Sequence, residues 1–262
     1  MGISFFKYQG TGNDFIILDN RDGMLDLSTA QVAQWCHRRF GVGADGLMLL
    51  ETVPGFDFGM TYYNADGAPS TMCGNGGRCL VQFAHHQGIR AKSYRFLAVD
   101  GPHQAYIDER DWVHLEMKNV SGWQTMDNAF VLHTGSPHYV APAQGDLAQM
   151  DVAAAGRAIR NSPAFLAEGI NVNFVAPQGE ALFVRTYERG VEAETYSCGT
   201  GVTAAALAHA LPTWGQQIRQ IQTLGGPLQV RFNRTSDQDF SDIWLSGPAQ
   251  FVFQGTINFS AA

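Results

Sequence analysis

The chain has 262 residues, 45% of them hydrophobic and 16% charged, which is the composition of a globular protein long enough for two domains. Its formal net charge of −7 argues against a nucleic-acid or anionic-membrane partner, since no basic block offsets it, and no apolar run approaches the roughly 20 residues of a membrane span. Four cysteines are too few for a disulfide scaffold in a chain of this length, which favours the reducing cytoplasm.

The N-terminal segment is predicted to form two short strands followed by a helix. Phe5–Tyr8 and Phe15–Asn20 have strand-like composition, and the glycine-containing loop between them can bring Asn13 close to a ligand. A tight β-turn is the simpler interpretation of that loop. Ser28, with Gln31 three residues later, matches a capping box and predicts that a helix begins there.

The segment Gly41–Gly46 matches the GxGxxG fingerprint of dinucleotide-binding proteins. That fingerprint binds pyrophosphate when its glycines follow a strand and open a helix. Here the order is reversed, because the predicted helix precedes the glycines and the predicted strand Leu47–Glu51 follows them. The glycines are therefore expected to end the helix and turn the chain, without a nucleotide site.

Strands dominate the rest of the chain. The turn signal Asn64–Gly67 follows a predicted strand, and apolar density falls around Asn119–Asn128, where we place a domain boundary. The predicted domains are residues 1–118, joined by a last strand at about 255–262, and residues 119–254. Other predicted elements are the strands Phe58–Tyr63, Ser93–Val99, His103–Ile107, Val113–Met117, Ala129–His133 and Ala181–Tyr187, the helix Asp151–Arg160, a hairpin about Leu224–Pro227, a polar loop Asn233–Asp242, and last strands from Ile243 to Phe259.

Two cysteine segments give the two halves of the chain the same outline. Cys73 and Cys198 are each followed by small, turn-forming residues and then by a helix-like pattern, so each is predicted at a helix N-terminus. Backbone N–H groups and the helix dipole favour a thiolate there and can also hold a carboxylate. The repeated order of strand, turn, cysteine, glycines and helix suggests a duplicated unit whose two cysteine loops meet across a cleft.

Several chemistries use thiols in such a setting. A cysteine nucleophile with His138 as its base leaves the second cysteine without a role, and a redox pair usually has a Cys-x-x-Cys spacing that is absent here. A zinc site built from Cys73, Cys79, His85 and His86 has the wrong spacing. In a third interpretation one thiolate removes a proton from a carbon and one thiol returns a proton from the other side. The residues alone leave these alternatives open.

Seven short motifs follow one another over nearly the whole chain. They are Gly10–Phe15, Phe40–Gly46, Asn64–Gly67, Met72–Cys79, Asn171–Phe174, Tyr187–Gly190 and Cys198–Gly201. In sequence and in order they resemble the motifs of the diaminopimelate epimerase family. The resemblance implies an α+β fold of two pseudo-symmetric mixed-sheet domains. Each would be a curved, barrel-like sheet around a central helix, and the final strand would return to the first domain.

The resemblance also implies an activity, the epimerisation of LL-diaminopimelate to the meso form in lysine and cell-wall precursor biosynthesis, with no cofactor and no metal. Cys73 and Cys198 would be the two acid/base groups, and Glu188 and His138 would interact with the reacting ammonium or tune the thiols. A homodimer is expected, with no nucleic-acid or membrane partner. The implied substrate-binding residues are Asn13, Asn64, Gly74, Asn75, Asn171, Glu188, Arg189, Gly199 and Thr200.

The chain departs from the family pattern in two places, and two other functions stay open. Ser136 stands where many relatives have an asparagine, and the stretch Gly190–Thr195 is one residue longer than the commoner form. A proline or hydroxyproline racemase is the alternative enzyme, although Glu188, Arg189 and several asparagines favour a substrate with a second polar end. A ligand-binding or redox protein without turnover is the alternative from another class.

Overall fold

The computed structural model describes residues 2–70, 72–210 and 212–258 of the chain. The chain divides into two compact units: Met1–Leu115 together with Pro248–Ala262, called unit 1, and Glu116–Gly247, called unit 2. No helix within the described ranges is long and apolar enough to cross a membrane. Phe259, at the end of the last predicted strand, lies outside the described residues.

Unit 1 is a mixed sheet with two helices. Its elements are β1 (Gly2–Gly10), β2 (Asn13–Asn20), α1 (Thr29–Cys36), β3 (Gly46–Glu51), β4 (Phe58–Asn64), α2 (Gly74–His86), β5 (Tyr94–Ala98), β6 (Gly101–Ile107), β7 (Trp112–Met117), whose last two residues fall in unit 2, and β18 (Gln250–Asn258). Its strands pair in the order β18-β1-β2-β3-β4-β5-β6-β7. The last strand of the chain therefore lies beside the first, as the family resemblance implied.

Unit 2 has a similar composition of elements. They are β8 (Val120–Ser121), β9 (Gln124–Met126), β10 (Ala129–His133), β11 (Pro137–Pro142), a short 3-10 helix (Leu147–Gln149), α3 (Val152–Arg160), β12 (Asn171–Gln178), β13 (Ala181–Glu188), β14 (Ala193–Thr195), α4 (Gly199–Ala208), β15 (Gly215–Thr223), β16 (Gly226–Arg234) and β17 (Asp239–Pro248). The strands pair in the order β9-β10-β11-β12-β13-β15-β16-β17-β8, and β14 pairs with the end of β13. The sequence did not predict β8, β9 or β14, because two or three residues are too few to show a strand-like alternation.

The two pairing orders repeat each other. From β18 to β7, and from β9 to β17, neighbouring strands run antiparallel, antiparallel, parallel, antiparallel, parallel, antiparallel and antiparallel. Each parallel step needs a crossover, which α1 and α2 provide in unit 1 and α3 and α4 provide in unit 2. This repetition confirms the predicted α+β fold of two pseudo-symmetric mixed-sheet units.

The second helix of each unit is its central element. Every residue of α2 from Gly74 to Ala84 is buried, and the helix contacts β1, β2, β3, β6 and β18. α4 is buried along most of its length and contacts β10–β13, β15 and β16. A helix that is buried on all sides, with glycine and alanine along it, allows strands to approach from several directions. The cysteine that precedes each helix is therefore held by the core of its unit.

The first helix of unit 1 follows the sequence prediction closely. Ser28 caps α1 in a capping box with Gln31, and Val32, Trp35 and Cys36 are its buried residues. After α1 the chain turns through the glycine-rich segment into β3, which confirms that the GxGxxG match does not have the strand-then-helix order of a dinucleotide site.

One predicted loop is shorter in the structure. Asn233–Asp242 was predicted as a polar loop, but β16 continues to Arg234 and β17 begins at Asp239. Arg234 pairs with Phe240 across these strands, and Phe240 is buried. The many polar residues in this stretch concealed a strand with one buried side chain.

Candidate active site

Cys73 is the N-cap of α2. Its backbone is extended (φ −104°, ψ 129°), and its side chain makes no capping hydrogen bond. The first helical hydrogen bond is donated by Gly77 N–H to the Cys73 carbonyl at 2.7 Å. The backbone amides before Gly77, including that of Gly74, belong to the helix end where the dipole is positive. No acidic residue lies in the first turn of α2. The half-buried thiol is thus held at a helix N-terminus, as predicted.

The β1–β2 hairpin brings Asn13 close to this thiol. Gly10 pairs with Asn13, and the two turn residues Thr11 and Gly12 have positive φ values of 51° and 85°, as a type I′ turn requires. Asn13 Oδ1 lies 3.6 Å from Cys73 Sγ. The predicted tight turn is therefore present, and it also presents a polar side chain to the cysteine.

A cluster of charged side chains holds Asn13 in place. Asp45 Oδ2 accepts a hydrogen bond from Asn13 Nδ2 at 2.6 Å, and Arg38 donates to both Asp45 and Asp14. Lys7 Nζ lies 2.6 Å from an Asp14 carboxylate oxygen. Burial alone would raise the pKa of Asp14, but hydrogen bonds and charge from Arg38 and Lys7 outweigh it and lower this pKa to about 2. Asp14 therefore stays ionised near neutral pH.

The other predicted binding residues of unit 1 have different surroundings. Asn75 is the second residue of α2 and is 1% exposed. Asn64 ends β4 on the surface, and its carbonyl accepts a hydrogen bond from Gly67 N–H at 2.9 Å, in the turn predicted from Asn64–Gly67. Asn75 therefore lies at the helix end beside Cys73, whereas the side chain of Asn64 is open to solvent.

Cys198 is the N-cap of α4 and repeats the position of Cys73. Its backbone is extended (φ −116°, ψ 114°), and its carbonyl accepts the first helical hydrogen bond from Val202 N–H at 2.9 Å. The thiol is buried, and its sulfur lies 3.5 Å from Thr200 Oγ1. Gly199 and Thr200 form the first helical positions, so the predicted carboxylate-binding residues lie at this helix end.

His138 is linked to Cys198 through Thr200. The imidazole is fully buried, with Nε2 at 2.9 Å from Thr200 Oγ1 and Nδ1 at 3.0 Å from Asn173 Nδ2. Because Thr186 Oγ1 donates to Asn173 Oδ1 at 3.0 Å, the amide NH₂ faces His138. The ring therefore accepts at Nδ1 and carries its proton on Nε2, an assignment that rests on the hydrogen-bond network.

The same burial keeps His138 neutral. Its pKa is lowered to about 3, chiefly by burial and then by the proximity of His133 and Arg189. A neutral ring with its proton on Nε2 can donate to Thr200 Oγ1 at 2.9 Å or to Ser136 Oγ at 3.0 Å. When it donates to Thr200, the hydroxyl proton of Thr200 can go to the sulfur of Cys198 at 3.5 Å or to Ser136 Oγ at 3.1 Å.

The remaining predicted residues of unit 2 lie at the ends of β12 and β13. Asn171 Nδ2 donates to Ser136 Oγ at 3.1 Å, and its Oδ1 accepts from Arg189 N–H at 2.9 Å. The Arg189 side chain is exposed and donates to the carbonyl of Glu168 at 3.1 Å. Glu188 Oε2 accepts from Thr195 Oγ1 at 3.0 Å. Asn171 thus joins the loop of Ser136 to the segment that carries Arg189.

Sequence reasoning missed three residues of these networks. Asp45 positions Asn13, Asn173 fixes the ring of His138, and Thr134 Oγ1 donates to the Thr200 carbonyl at 2.8 Å. Asn173 lies two residues after Asn171 on β12, and strand periodicity places both on the same face. That spacing could have identified Asn173, whereas Asp45 and Thr134 follow only from contacts between distant segments.

The other two cysteines are core residues. Cys36 and Cys79 are buried, and burial raises the pKa of each thiol to about 12. Both thiols therefore stay protonated near neutral pH. Within residues 2–70, 72–210 and 212–258, no group of three or more histidine, cysteine, aspartate or glutamate side chains is arranged to hold a metal ion.

Solved structures share this two-unit fold at low sequence identity. A Bacillus anthracis phenazine biosynthesis protein of the PhzF family matches with a TM-score of 0.79 at 13% identity, covering 99% of this chain and 100% of that chain. A hydroxyproline epimerase from Agrobacterium vitis matches with a TM-score of 0.70 at 12% identity, covering 98% and 92%. The fold is therefore that of a class of proteins that includes PhzF-type proteins and amino-acid epimerases.

Sequence comparison then gives the family within that class. The diaminopimelate epimerase family model matches residues 5–121 and 130–252. The diaminopimelate epimerase of Flavobacterium psychrophilum is 49% identical over 97% of this chain and all of its own length, and that of Chlorobaculum tepidum is 45% identical over 95% and 98%. The chain belongs to the diaminopimelate epimerase family, a family of isomerases.

Proposed function

We propose that this enzyme interconverts LL- and meso-diaminopimelate through two thiols, Cys73 and Cys198. The observation that carries the proposal is the repetition of one feature: in each unit, a cysteine caps the central helix of the same sheet topology. One thiolate takes the α-proton, and the thiol of the other cysteine gives a proton to the opposite face of the carbon. The two cysteines exchange protonation states, so that the overall proton count is unchanged.

The two helix N-termini are suited to hold the carboxylate next to the reacting carbon. Removal of the α-proton places negative charge on that carboxylate, and preorganised N–H groups stabilise charge where it develops. Gly74 and Asn75 begin α2, and Gly199 and Thr200 begin α4. In this proposal they bind the carboxylate without any metal or cofactor.

The other predicted residues recognise the rest of the substrate. Arg189 has an exposed guanidinium, whose fork can bind the distant carboxylate in a bidentate manner. Asn13, Asn64 and Asn171 supply amides for the polar ends, and Glu188 faces the ammonium. His138 is neutral and bonded to Thr200, which supports a role in orienting the Thr200 hydroxyl toward Cys198.

Exchange of the α-hydrogen with solvent tests the proposal directly. In heavy water we expect deuterium to enter diaminopimelate, and we expect Cys73→Ser and Cys198→Ser each to slow this exchange by about 10³-fold or more, since each removes one acid/base group. Cys36→Ser is the matched control, because Cys36 is a buried core thiol outside the site. Mass spectrometry of the recovered substrate gives the rates.

Two results would contradict the proposal. Exchange into proline or hydroxyproline, but not into diaminopimelate, would favour the racemase alternative. Unchanged exchange in both serine variants would favour a protein that binds ligands without this chemistry. We further propose that the enzyme is a cytoplasmic homodimer, which sedimentation at several concentrations and cell fractionation would test.

A further inference from the structure

Arg78 is a fully buried cation in the middle of α2. Its side chain is 0% exposed. Nη2 donates to Thr11 Oγ1 at 3.2 Å and Nη1 donates to the Gly74 carbonyl at 3.4 Å. Nε has no hydrogen-bond partner among the described residues. Among the described residues, the hydrogen bonds of the guanidinium are two long contacts to neutral oxygens.

Such a cation is costly unless an anion compensates its loss of hydration. Burial lowers the pKa of Arg78, and the groups that oppose this shift are Cys79 and then Cys73. Cys79 is fully buried, and burial raises the pKa of its thiol to about 12, so it remains uncharged near neutral pH. Of these two cysteines, Cys73 is therefore the one that can become an anion.

The strands packed against α2 provide no carboxylate for Arg78. Lys7 and Asp14 pair with each other at 2.6 Å, and burial raises the pKa of Tyr8, so that the phenol stays neutral. In the described part of the chain, no ion pair joins Arg78 to an acidic residue. The other titratable groups on these strands are Asp19, which bonds Arg21, Glu51, which bonds Asn20 and Thr61, His103, which bonds Asp100, and Tyr106, which stacks on His114.

We infer that Arg78 is a positioning residue for Cys73: its buried charge favours ionisation of the Cys73 thiol at the start of α2, whose sulfur donates to Asn13 Oδ1 at 3.6 Å in this structure. Helical side chains lean toward the N-terminus of their helix, which directs the guanidinium of Arg78 back toward Gly74 and the cysteine. Its bond to Thr11 also anchors the hairpin turn that presents Asn13 to Cys73. The inference deepens the proposed role of Cys73 and rests on it.

Unit 2 has no cation at the position equivalent to Arg78. Arg78 is five residues after Cys73, and the residue five after Cys198 is Thr203. Thr203 Oγ1 donates to the Gly199 carbonyl at 2.9 Å, so it makes the contact that Arg78 makes to Gly74 but carries no charge. Removing the charge of Arg78 should therefore affect Cys73 and leave Cys198 unchanged.

The pH dependence of alkylation separates this electrostatic role from a structural one. Iodoacetamide reacts with the thiolate, and peptide mass spectrometry reports each cysteine separately. In a Cys198→Ser background, we expect Arg78→Gln to raise the midpoint of Cys73 alkylation by about one pH unit or more, which makes the reaction about tenfold slower below the midpoint. Arg78→Lys keeps a positive charge and should restore most of the reactivity.

The matched control measures Cys198 in a Cys73→Ser background, where Arg78→Gln should leave the midpoint unchanged. An unchanged Cys73 midpoint in a folded Arg78→Gln variant would overturn the inference. If that variant does not fold, the two cysteines are compared in the single serine variants that keep Arg78. The pH midpoint of Cys73 alkylation must then lie below that of Cys198 alkylation, and the reverse order overturns the inference. Alkylation needs no turnover, so this result is independent of the exchange experiment.

Discussion

The N-termini of α2 and α4 have the same backbone design but different side-chain surroundings. Both begin with an extended cysteine followed by glycine. Around Cys73 the supporting groups are charged, with Asn13 held by Asp45 and Arg78 buried in the helix. Beside Cys198, the hydroxyl of Thr200 and the neutral ring of His138 are linked by a hydrogen bond. The fold repeats the helix dipole, whereas each unit supplies its own electrostatic support.

This difference matters because the proposed reaction needs one thiolate and one thiol at the same time. A buried cation stabilises an anion through charge, and the effect is strong where water is excluded. A hydroxyl donor stabilises an anion through one oriented hydrogen bond. Two otherwise matching helix ends can therefore hold thiols of unequal acidity without any change in the fold.

The largest expected effect is the loss of stability when alanine replaces one of two equivalent glycines. Gly201 and Gly76 each lie three residues after the cysteine of their unit. A Cβ on Gly201 would collide with the Oδ1 atom of Asn173, which is buried and fixed by Thr186 and His138. We expect Gly201→Ala to lower the free energy of unfolding by at least about 2 kcal/mol, and to slow α-hydrogen exchange because the base of α4 moves. Urea denaturation and the exchange assay measure the two effects.

Gly76→Ala is the matched control in unit 1. Its Cβ would lie 3.2 Å from the Met48 sulfur and 3.5 Å from the Phe15 ring. Methionine is flexible and can move away, and alanine favours the helix, so the change in stability should stay within about 1 kcal/mol. Equal losses for the two variants would show that the Asn173 network does not constrain α4.

A second prediction concerns pH and His138. The pKa of this ring is about 3 in the folded protein and 6.5 in the reference state, so below about pH 6.5 the unfolded chain binds a proton that the folded chain does not. This contribution to stability is present above pH 6.5 and is lost as the pH falls toward 3. Between pH 6.5 and about pH 5 the free energy of unfolding should fall by roughly 1.5 kcal/mol from this group.

His138→Gln removes that titration. The variant should be less stable at pH 7, because the contacts to Asn173 and Thr200 change, but its loss of stability between pH 6.5 and 5 should be smaller than that of the unsubstituted enzyme. Urea denaturation at a series of pH values measures both slopes. Identical slopes would mean that folding does not lower the pKa of His138.

The smallest expected effects come from removing the N-cap side chains of α1 and α3. These two helices form the first crossover of unit 1 and of unit 2. Ser28 Oγ accepts from Gln31 N–H at 3.3 Å, and Asp151 Oδ1 accepts from Ala154 N–H at 2.9 Å. Ser28→Ala and Asp151→Ala should each cost about 1 kcal/mol, with unchanged α-hydrogen exchange because both caps lie outside the site. A loss of activity in either variant would show that its helix contributes to catalysis.

Local signals in the sequence predicted much of the framework. The capping box at Ser28 and the turn Asn64–Gly67 involve residues at most three positions apart, so the sequence contains the complete signal. Helix starts at Cys73 and Cys198 were predicted for the same reason, since small residues followed by an apolar period mark a helix N-terminus. The order of motifs led to the family, which the comparisons confirm.

Contacts between distant segments were not predictable in this way. The Asp45 carboxylate reaches Asn13 over 32 positions of the chain, and Thr200 meets His138 over 62 positions. The polar stretch at Asn233–Asp242 also concealed strand residues, because pairing with a neighbouring strand determined its structure more than its own composition.

The sequence by itself determined which residues start helices, where the chain turns and which family it belongs to, because these depend on residue types at short spacing. Only the tertiary structure decided that Arg78 is buried with no carboxylate partner among the described residues, and that His138 is neutral and bonded to Thr200. Burial and the identity of a hydrogen-bond partner depend on which distant strands surround a side chain. Those two properties determine how charge is distributed around each cysteine.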